Sequence, residues 1–289
     1  MRLGDDNSDN FFDRTGSPGA SLGGGNLLGC LLPLVASRFG LIGVAILLLG
    51  YCALTQFGGG GLIPGGTTTS GSGRSTLAPE DQRVLVGVLE STDRVWGQIF
   101  QASGSRYVEP KLIAYTGGTQ TGCGAGQAQM GPFYCPNDQS IYIDPDFFSE
   151  LARRFQAPGD FAQGYVIAHE VGHHVQNLEG TLDQAQRAQA GASKTDGNAI
   201  QVQVELQADC YAGVWAANAK DPQGRSILEE GDLEEGMRAA EAIGDDTLQR
   251  QAQGTVVPES FTHGSSAQRM AALQTGYRSG NPAACTFNR

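Results

Sequence analysis

A basic face is what this sequence most plainly lacks. Across 289 residues, 19 Lys and Arg stand against 30 Asp and Glu, giving a formal net charge of −11 and a pI near 4.7. Neutralising phosphates needs clustered cations, so nucleic acid is excluded as a partner. Histidine is scarce as well. Of the four in the chain, three fall at positions 169, 173 and 174. Lys and Arg are missing altogether between Arg38 and Arg74, over a stretch that also holds the longest apolar run. That run has no small-residue cleavage pattern after it, which argues against a signal peptide. A lipoprotein box at Leu27-Leu28-Gly29-Cys30 is rejected because no hydrophobic signal core precedes it.

Cysteine is sparing and unevenly used. Cys30 and Cys52 lie in or beside the apolar N-terminal region, whereas Cys123, Cys135, Cys210 and Cys285 belong to the part expected to fold. In an extracytoplasmic domain four cysteines imply two disulfides with three possible connectivities. Cys123 with Cys135 and Cys210 with Cys285 are the pairs expected.

Four regions follow from composition. Residues 1–38 are rich in Gly, Ser, Asn and Asp without a sustained period, so a disordered segment is expected, with Leu27 to Ala36 too short to span a membrane. Phe39 to Phe57 carries no charge, and 19 helical residues reach about 28 Å, close to the hydrocarbon thickness. A single transmembrane anchor is expected there. Arg38 at its start puts the N-terminus in the cytoplasm and the rest outside, as in a single-pass protein of the bacterial inner membrane. Residues 58–77 read as a Gly/Ser/Thr-rich tether, and residues 78–289 as the folded domain.

Within that domain, Pro79 and Glu80 open a helical pattern through Val84, Leu85, Val88, Leu89, Val95, Trp96, Ile99 and Phe100. Lys111 to Tyr115 reads as a strand before a Gly117-Gly118 turn. Phe133 to Cys135 and Ser140 to Asp144, separated by Pro136 to Gln139, read as a hairpin whose edge could take up an extended peptide. A helix from Asp144-Pro145 through Phe147, Phe148, Leu151 and Phe155 should end at Pro158. Asp160 is the candidate cap of the next helix.

That next helix carries the chemistry. His169-Glu170-Val171-Gly172-His173 is an H-E-x-x-H pattern, and residues four apart share a helix face, so His169 and His173 can present two imidazole nitrogens to one metal ion. Glu170 stands about 100° round from His169, where a general base can touch an activated water without coordinating. Tyr165, Val166, Ile167, Val171 and Val175 make the helix apolar enough to be buried, and buried ionisable groups need partners. His174, about 100° from His173, is expected to be solvated or to support a ligand.

Catalytic zinc takes three protein ligands and a water. Gln176 and Glu179 stand where a third-histidine pattern would need Gly and His, which leaves an acid. Glu205 is the best candidate, with Glu179 and Asp183 as competitors. Glu205 and Asp209 are four apart on a helical stretch, so one can bind the metal while the other hydrogen-bonds the free ring nitrogen of a ligand histidine. His263 is a candidate donor to an oxyanion or a helix cap, with Tyr211 and Tyr142 as further donors.

HEVGHHVQN, ELQADCYAGVW, GPFYCPNDQSIYID, LEEGDLEEGMRAAEAIGDD and VPESFTHGSSAQRMAALQTGY together resemble the bacterial family called "putative neutral zinc metallopeptidase", membrane-anchored proteins of the H-E-x-x-H class. The likeness covers roughly Ala78 to Phe287 with the anchor, and departs at Ala271-Ala272, where a bulkier aromatic is expected. The Glu-x-x-x-Asp helix is also similar to the thermolysin-like group. Carried over, the resemblance implies zinc on His169, His173 and Glu205, Glu170 as base, and Asp209 behind a ligand histidine. Thr262-His263 with Arg269 is more faintly similar to a His and Arg pairing in another membrane-linked zinc peptidase group.

The expected protein is therefore a mostly helical α+β, zincin-like domain with a small β-hairpin or sheet, preceded by one transmembrane helix. It would hydrolyse peptide bonds of a peptide or protein substrate with a zinc-activated water. A metal-stabilised binding scaffold in the envelope and a zinc amidase acting on cell-wall peptides are the alternatives.

Overall fold

The first core helix forms where the apolar period places it. In the computed structural model, which describes residues 1–4, 7–16 and 75–287, helix α1 spans Pro79–Ala102. Pro79 occupies a first-turn position where its missing N–H costs nothing, and Glu80 and Asp81 complement the helix dipole there. Its buried face includes Val84, Leu85, Val88, Leu89, Val95 and Trp96. Trp96 meets the Tyr211 ring edge-on with centroids 5.1 Å apart.

Among the described residues a four-stranded sheet lies beside the helices, its neighbouring strands in the order Phe11–Asp13, Lys111–Ala114, Ser140–Ile143 and Phe133–Cys135. Strand β1 is Phe11–Asp13 and β2 is Lys111–Ala114, paired in parallel with Phe11 opposite Leu112. Strands β3, Gly118–Thr121, and β4, Gly124–Gln127, form a separate antiparallel pair. Strand β5, Phe133–Cys135, runs antiparallel to β6, Ser140–Ile143, with Tyr134 opposite Ile141, as the hairpin reading requires. Gln139 turns the chain between them with φ of 53°.

Helix α2, Asp146–Arg153, ends before the expected Pro158, because Gln156 turns left-handed at φ 55° and leaves Phe155 outside the helix. Helix α3 is Asp160–Glu179 and α4 is Thr181–Gln189. Asp160 is not the cap of α3. Gly159 occupies that position, and Glu235 accepts from the Phe161 N–H at 3.2 Å instead. Helix α5, Lys194–Asn218, starts on a Ser193 side-chain cap. Helices α6, Asp232–Ala242, and α7, Asp245–Gln253, follow. Helix α8, Ser266–Ser279, opens on a Ser265/Gln268 capping box, so Ser265 and not His263 is its cap.

Two glycines set the closest crossing. A Cβ on Gly276 would lie 1.9 Å from the Cys210 carbonyl oxygen, and one on Gly213 would lie 2.1 Å from that of Leu273. Helices α5 and α8 therefore touch backbone to backbone, a contact that any side chain would break. The departure at Ala271-Ala272 leaves this crossing intact. Beneath it Trp215 stacks on Phe161, centroids 5.8 Å apart and planes 2° from parallel, and donates from Nε1 to Ser91 Oγ at 3.0 Å.

The expected disulfides form, Cys123 with Cys135 and Cys210 with Cys285. The second links residues 75 apart in sequence. A loop of that size corresponds to about 4 kcal/mol of stabilisation on the chain-entropy view.

Three expectations about the N-terminal region need correction. Residues 7–16, read as part of a disordered 1–38 segment, hold β1, and Arg2 N donates to the Ile227 carbonyl at 2.7 Å. The transmembrane helix expected over 39–57 lies outside the described residues, as do Cys30, Cys52 and most of the tether. Among the described residues no helix is long and apolar enough to cross a membrane. A single crossing between residues 16 and 75 would also put β1 and β2 on opposite sides of a bilayer, yet they are hydrogen-bonded neighbours. The single-pass anchor and the inner-membrane location derived from it are therefore withdrawn. What stands is a mostly helical domain with a small sheet.

Candidate metal centre

Helix α3 is buried along nearly its whole length, with Tyr165, Ile167, Val171 and Val175 fully inside. Such burial carries His169 and Glu170 into the interior, 7% and 6% exposed. Gly172 decides what meets them. A Cβ there would sit 2.9 Å from the Ala208 carbonyl oxygen and 3.0 Å from the Ala208 Cα. The glycine inside the motif thus lets α5 cross α3 at backbone contact. Ala208 lies between Glu205 and Asp209, so the crossing brings both acids onto His169.

Three side chains converge. Glu205 Oε2 lies 3.2 Å from His169 Nε2 and 3.5 Å from His173 Nε2. One donor atom from each of the three lies within 4.8 Å of the others. Tetrahedral zinc with bonds of about 2.0–2.1 Å has donor atoms about 3.3 Å apart, so this set of two imidazoles and a carboxylate fits the ion in both chemistry and spacing. Glu205 Oε1 accepts from Gln201 Nε2 at 2.9 Å, which leaves Oε2 to face the imidazoles. Burial pushes the Glu205 carboxyl up, but His173 and His169 outweigh it and hold it well below the usual carboxylate range.

Behind His169 stands Asp209. His169 donates from Nδ1 to Asp209 Oδ1 at 2.7 Å, which fixes the tautomer that leaves Nε2 free. Tyr165 OH donates to the same oxygen at 2.5 Å, and Arg269 donates Nε to Oδ2 at 2.8 Å and Nη2 to Oδ1 at 2.9 Å. Burial would raise the Asp209 carboxyl. Arg269 and His169 outweigh it, so the group stays ionised. Arg269 is itself 3% exposed and gives Nη1 to the Ile243 carbonyl at 3.3 Å. Its partner is Asp209.

Glu170 differs from its neighbours. Among the described residues its carboxylate accepts no hydrogen bond. Burial pushes its pKa up, against the charges of His169 and His173.

His174 corrects an expectation. It is fully buried rather than solvated, with Nε2 donating to the Val108 carbonyl at 2.6 Å and Nδ1 accepting from Tyr134 OH at 3.0 Å. Burial depresses its pKa to about 4, so it stays a neutral strut between α3 and β5. Glu179 accepts from Tyr211 OH at 2.7 Å and, like Asp183, stands outside the three-residue cluster. Tyr142 donates to Asp138 at 2.7 Å, so neither Tyr142 nor Tyr211 has a hydroxyl proton free for an oxyanion.

His169, Glu170, His173 and Glu205 line a cleft of about 930 Å³. Phe133 and Tyr134 from β5 line it, with Phe147, Phe155 and Leu182. His263 lines it as well. Its loop is wrapped round Asp245, whose Oδ2 accepts the backbone N–H groups of Thr262, His263 and Gly264 at 2.7, 2.7 and 3.1 Å. Asp245 Oδ1 lies 3.3 Å from His263 Nδ1, and the imidazole is half exposed.

Sequence reading missed the roles of Tyr165, Gln176, Gln201 and Arg269. The signal available was weak. Gln201 stands four residues before Glu205 on the same helix face, but Tyr165 and Arg269 meet across 104 positions.

The chain is 46% identical over 287 residues to an uncharacterised protein YpfJ of Escherichia coli K12, covering 98% of this chain and 96% of that one. It is 42% identical over 213 residues to an uncharacterised protein Rv2575 of Mycobacterium tuberculosis H37Rv, covering 71% and 70% respectively. No solved structure matches it. Residues 2–287 match the family described as "Putative neutral zinc metallopeptidase". A donor set suited to zinc at the foot of an open cleft agrees with that match, and the chain belongs to this family, whose cofactor is zinc.

Proposed function

We propose that the protein is a zinc-dependent peptidase in which His169, His173 and Glu205 hold the metal and Glu170 is the general base. The observation that carries this reading is Glu170 itself, a buried carboxylate in the cleft, beside the three-donor cluster and without a hydrogen-bond partner among the described residues. A buried carboxylate that no protein donor satisfies is costly unless a water or ligand in the cleft meets it. It serves a purpose where a water must be deprotonated. Bound zinc supplies Lewis-acid polarisation of a carbonyl and acidification of a water.

Glu170 takes the proton of the attacking water and returns it to the leaving amine nitrogen. Asp209 orients His169, and Arg269 keeps Asp209 ionised for that purpose. His263, on the cleft wall with Asp245 facing its Nδ1, donates from its Nε2–H to the oxyanion of the tetrahedral intermediate. Strand β5 ends the sheet, and Phe133 and Tyr134 line the cleft, which supports binding of an extended peptide by strand addition.

A metal-stabilised scaffold would close its site with a fourth side chain, whereas the described cluster has three. An amidase of cell-wall peptides would share the donor set. Side-by-side digestion of an unfolded protein and of cell-wall fragments separates the two. Chelator-sensitive cleavage of the protein is expected, and cleavage of the wall fragments alone would contradict the peptidase reading.

A further inference from the structure

The two imidazoles are held in different ways. His169 is fixed by a charged pair, Asp209 with Arg269, while His173 rests on neutral amides. His173 Nδ1 lies 2.9 Å from Gln176 Oε1, one turn along α3. An amide oxygen only accepts, so Nδ1 carries the proton and Nε2 is left free toward Glu205. Gln176 is fully buried, and its amide nitrogen gives one proton to the Val204 carbonyl at 2.7 Å and the other to Gln207 Oε1 at 2.9 Å. A flipped Gln176 amide would set its oxygen against two acceptors. Gln207, 6% exposed, is oriented in turn by donating Nε2 to the Cys285 carbonyl at 2.9 Å. Cys285 is bonded to Cys210, three residues beyond Gln207 on α5.

From this continuous path we infer that Gln176 and Gln207 are positioning residues which set the tautomer and ring orientation of His173, and that the Cys210–Cys285 disulfide anchors the far end of their relay. The inference rests on His173 being a zinc ligand. Each link has one hydrogen-bonding orientation, and the last acceptor is a backbone carbonyl whose place depends on a covalent bond. Zinc affinity is therefore coupled to a disulfide that touches no ligand. The other disulfide, Cys123–Cys135, lies outside the path.

The test is zinc affinity of the full chain, measured by competition with a chromogenic chelator, with cooperative thermal unfolding as the check on folding. Gln207→Met keeps the volume but removes the hydrogen bonds, and should weaken zinc by about 10–100-fold. The Cys210→Ser/Cys285→Ser pair should weaken it similarly, and adding Gln207→Met to that pair should cost nothing more. Cys123→Ser/Cys135→Ser should leave affinity unchanged. Nitrogen-15 shifts of the His173 imidazole should report an Nδ1–H tautomer in the wild type and its loss in Gln207→Met. Wild-type affinity in a folded Gln207→Met, or additive losses on combining the variants, would overturn the relay. If Gln207→Met does not fold, Gln176→Met reads the same path one link closer to the metal. Undiminished zinc binding in His173→Ala would instead overturn the ligand assignment itself.

Discussion

Arg269 on α8 grips Asp209 on α5 with two parallel hydrogen bonds, 2.8 and 2.9 Å long, and both side chains are buried. Removing one partner of such a pair strands a buried charge, at a cost of about 3–5 kcal/mol. Arg269→Leu should lower stability by that order and weaken zinc, because an unheld Asp209 no longer orients His169. Arg269→Lys should not restore the wild type, since a lysine cannot reproduce the fork. Denaturant unfolding with chelator competition checks both effects, and an unchanged zinc affinity in either variant would contradict the argument.

Gly172 fixes how closely α5 approaches the motif helix. Gly172→Ala introduces a Cβ 2.9 Å from the Ala208 carbonyl, so the helices must part. A loss of about 1–3 kcal/mol is expected from such overpacking, together with weaker zinc binding as Glu205 withdraws. Wild-type values for both would mean that the crossing has slack which the backbone distances do not suggest.

His263 is expected to act on turnover alone. His263→Ala should reduce kcat by about a hundredfold, the usual scale for one oxyanion donor, with zinc content unchanged. Loss of zinc from this variant would reassign the residue to the metal.

Asp93 on α1 makes stability depend on pH. Its Oδ1 accepts from Tyr107 OH at 3.1 Å, while Oδ2 is buried without a hydrogen-bond partner among the described residues. Burial, and then the charge of Glu109, pushes its pKa from 3.8 to about 8. The native state therefore holds a proton that the unfolded state releases, and the contribution of this group to stability falls as pH rises from about 4 to about 8. Asp93→Asn mimics the protonated acid. It should match the wild type near pH 4 and exceed it by a few kcal/mol, on the order of the shift, near pH 8. Unfolding curves across that range decide the matter, and parallel pH profiles would refute it.

Much of this was legible in residue spacing. Four-residue intervals put His169 with His173, and Glu205 with Asp209, on single helix faces, and the structure brings those faces together. The apolar period of α1 and the Pro136–Gln139 turn located a helix and a hairpin for the same reason: local pattern reflects local burial. Pattern failed where the partner is distant in sequence. Strand β1 is three residues long, in a Gly/Asn/Asp-rich setting, and exists because β2 pairs with it. The β3–β4 pair is made of Gly, Thr, Gln and Ala without apolar alternation. Arg269 and Gln207 look like ordinary helix residues until Asp209 and Cys285 stand opposite them. Position beside the motif leaves His174 either solvated or supporting a ligand, because adjacency does not reveal that Val108 and Tyr134 enclose it.

Zinc content and hydrolysis of an unfolded protein, measured on one preparation of Glu170→Gln, decide whether Glu170 is the base. One zinc per chain with turnover abolished is expected, while Glu205→Ala should lose both metal and turnover. A Glu170→Gln protein that still hydrolyses its substrate would contradict the assignment of Glu170 as the base, and with it the peptidase mechanism built on this cleft.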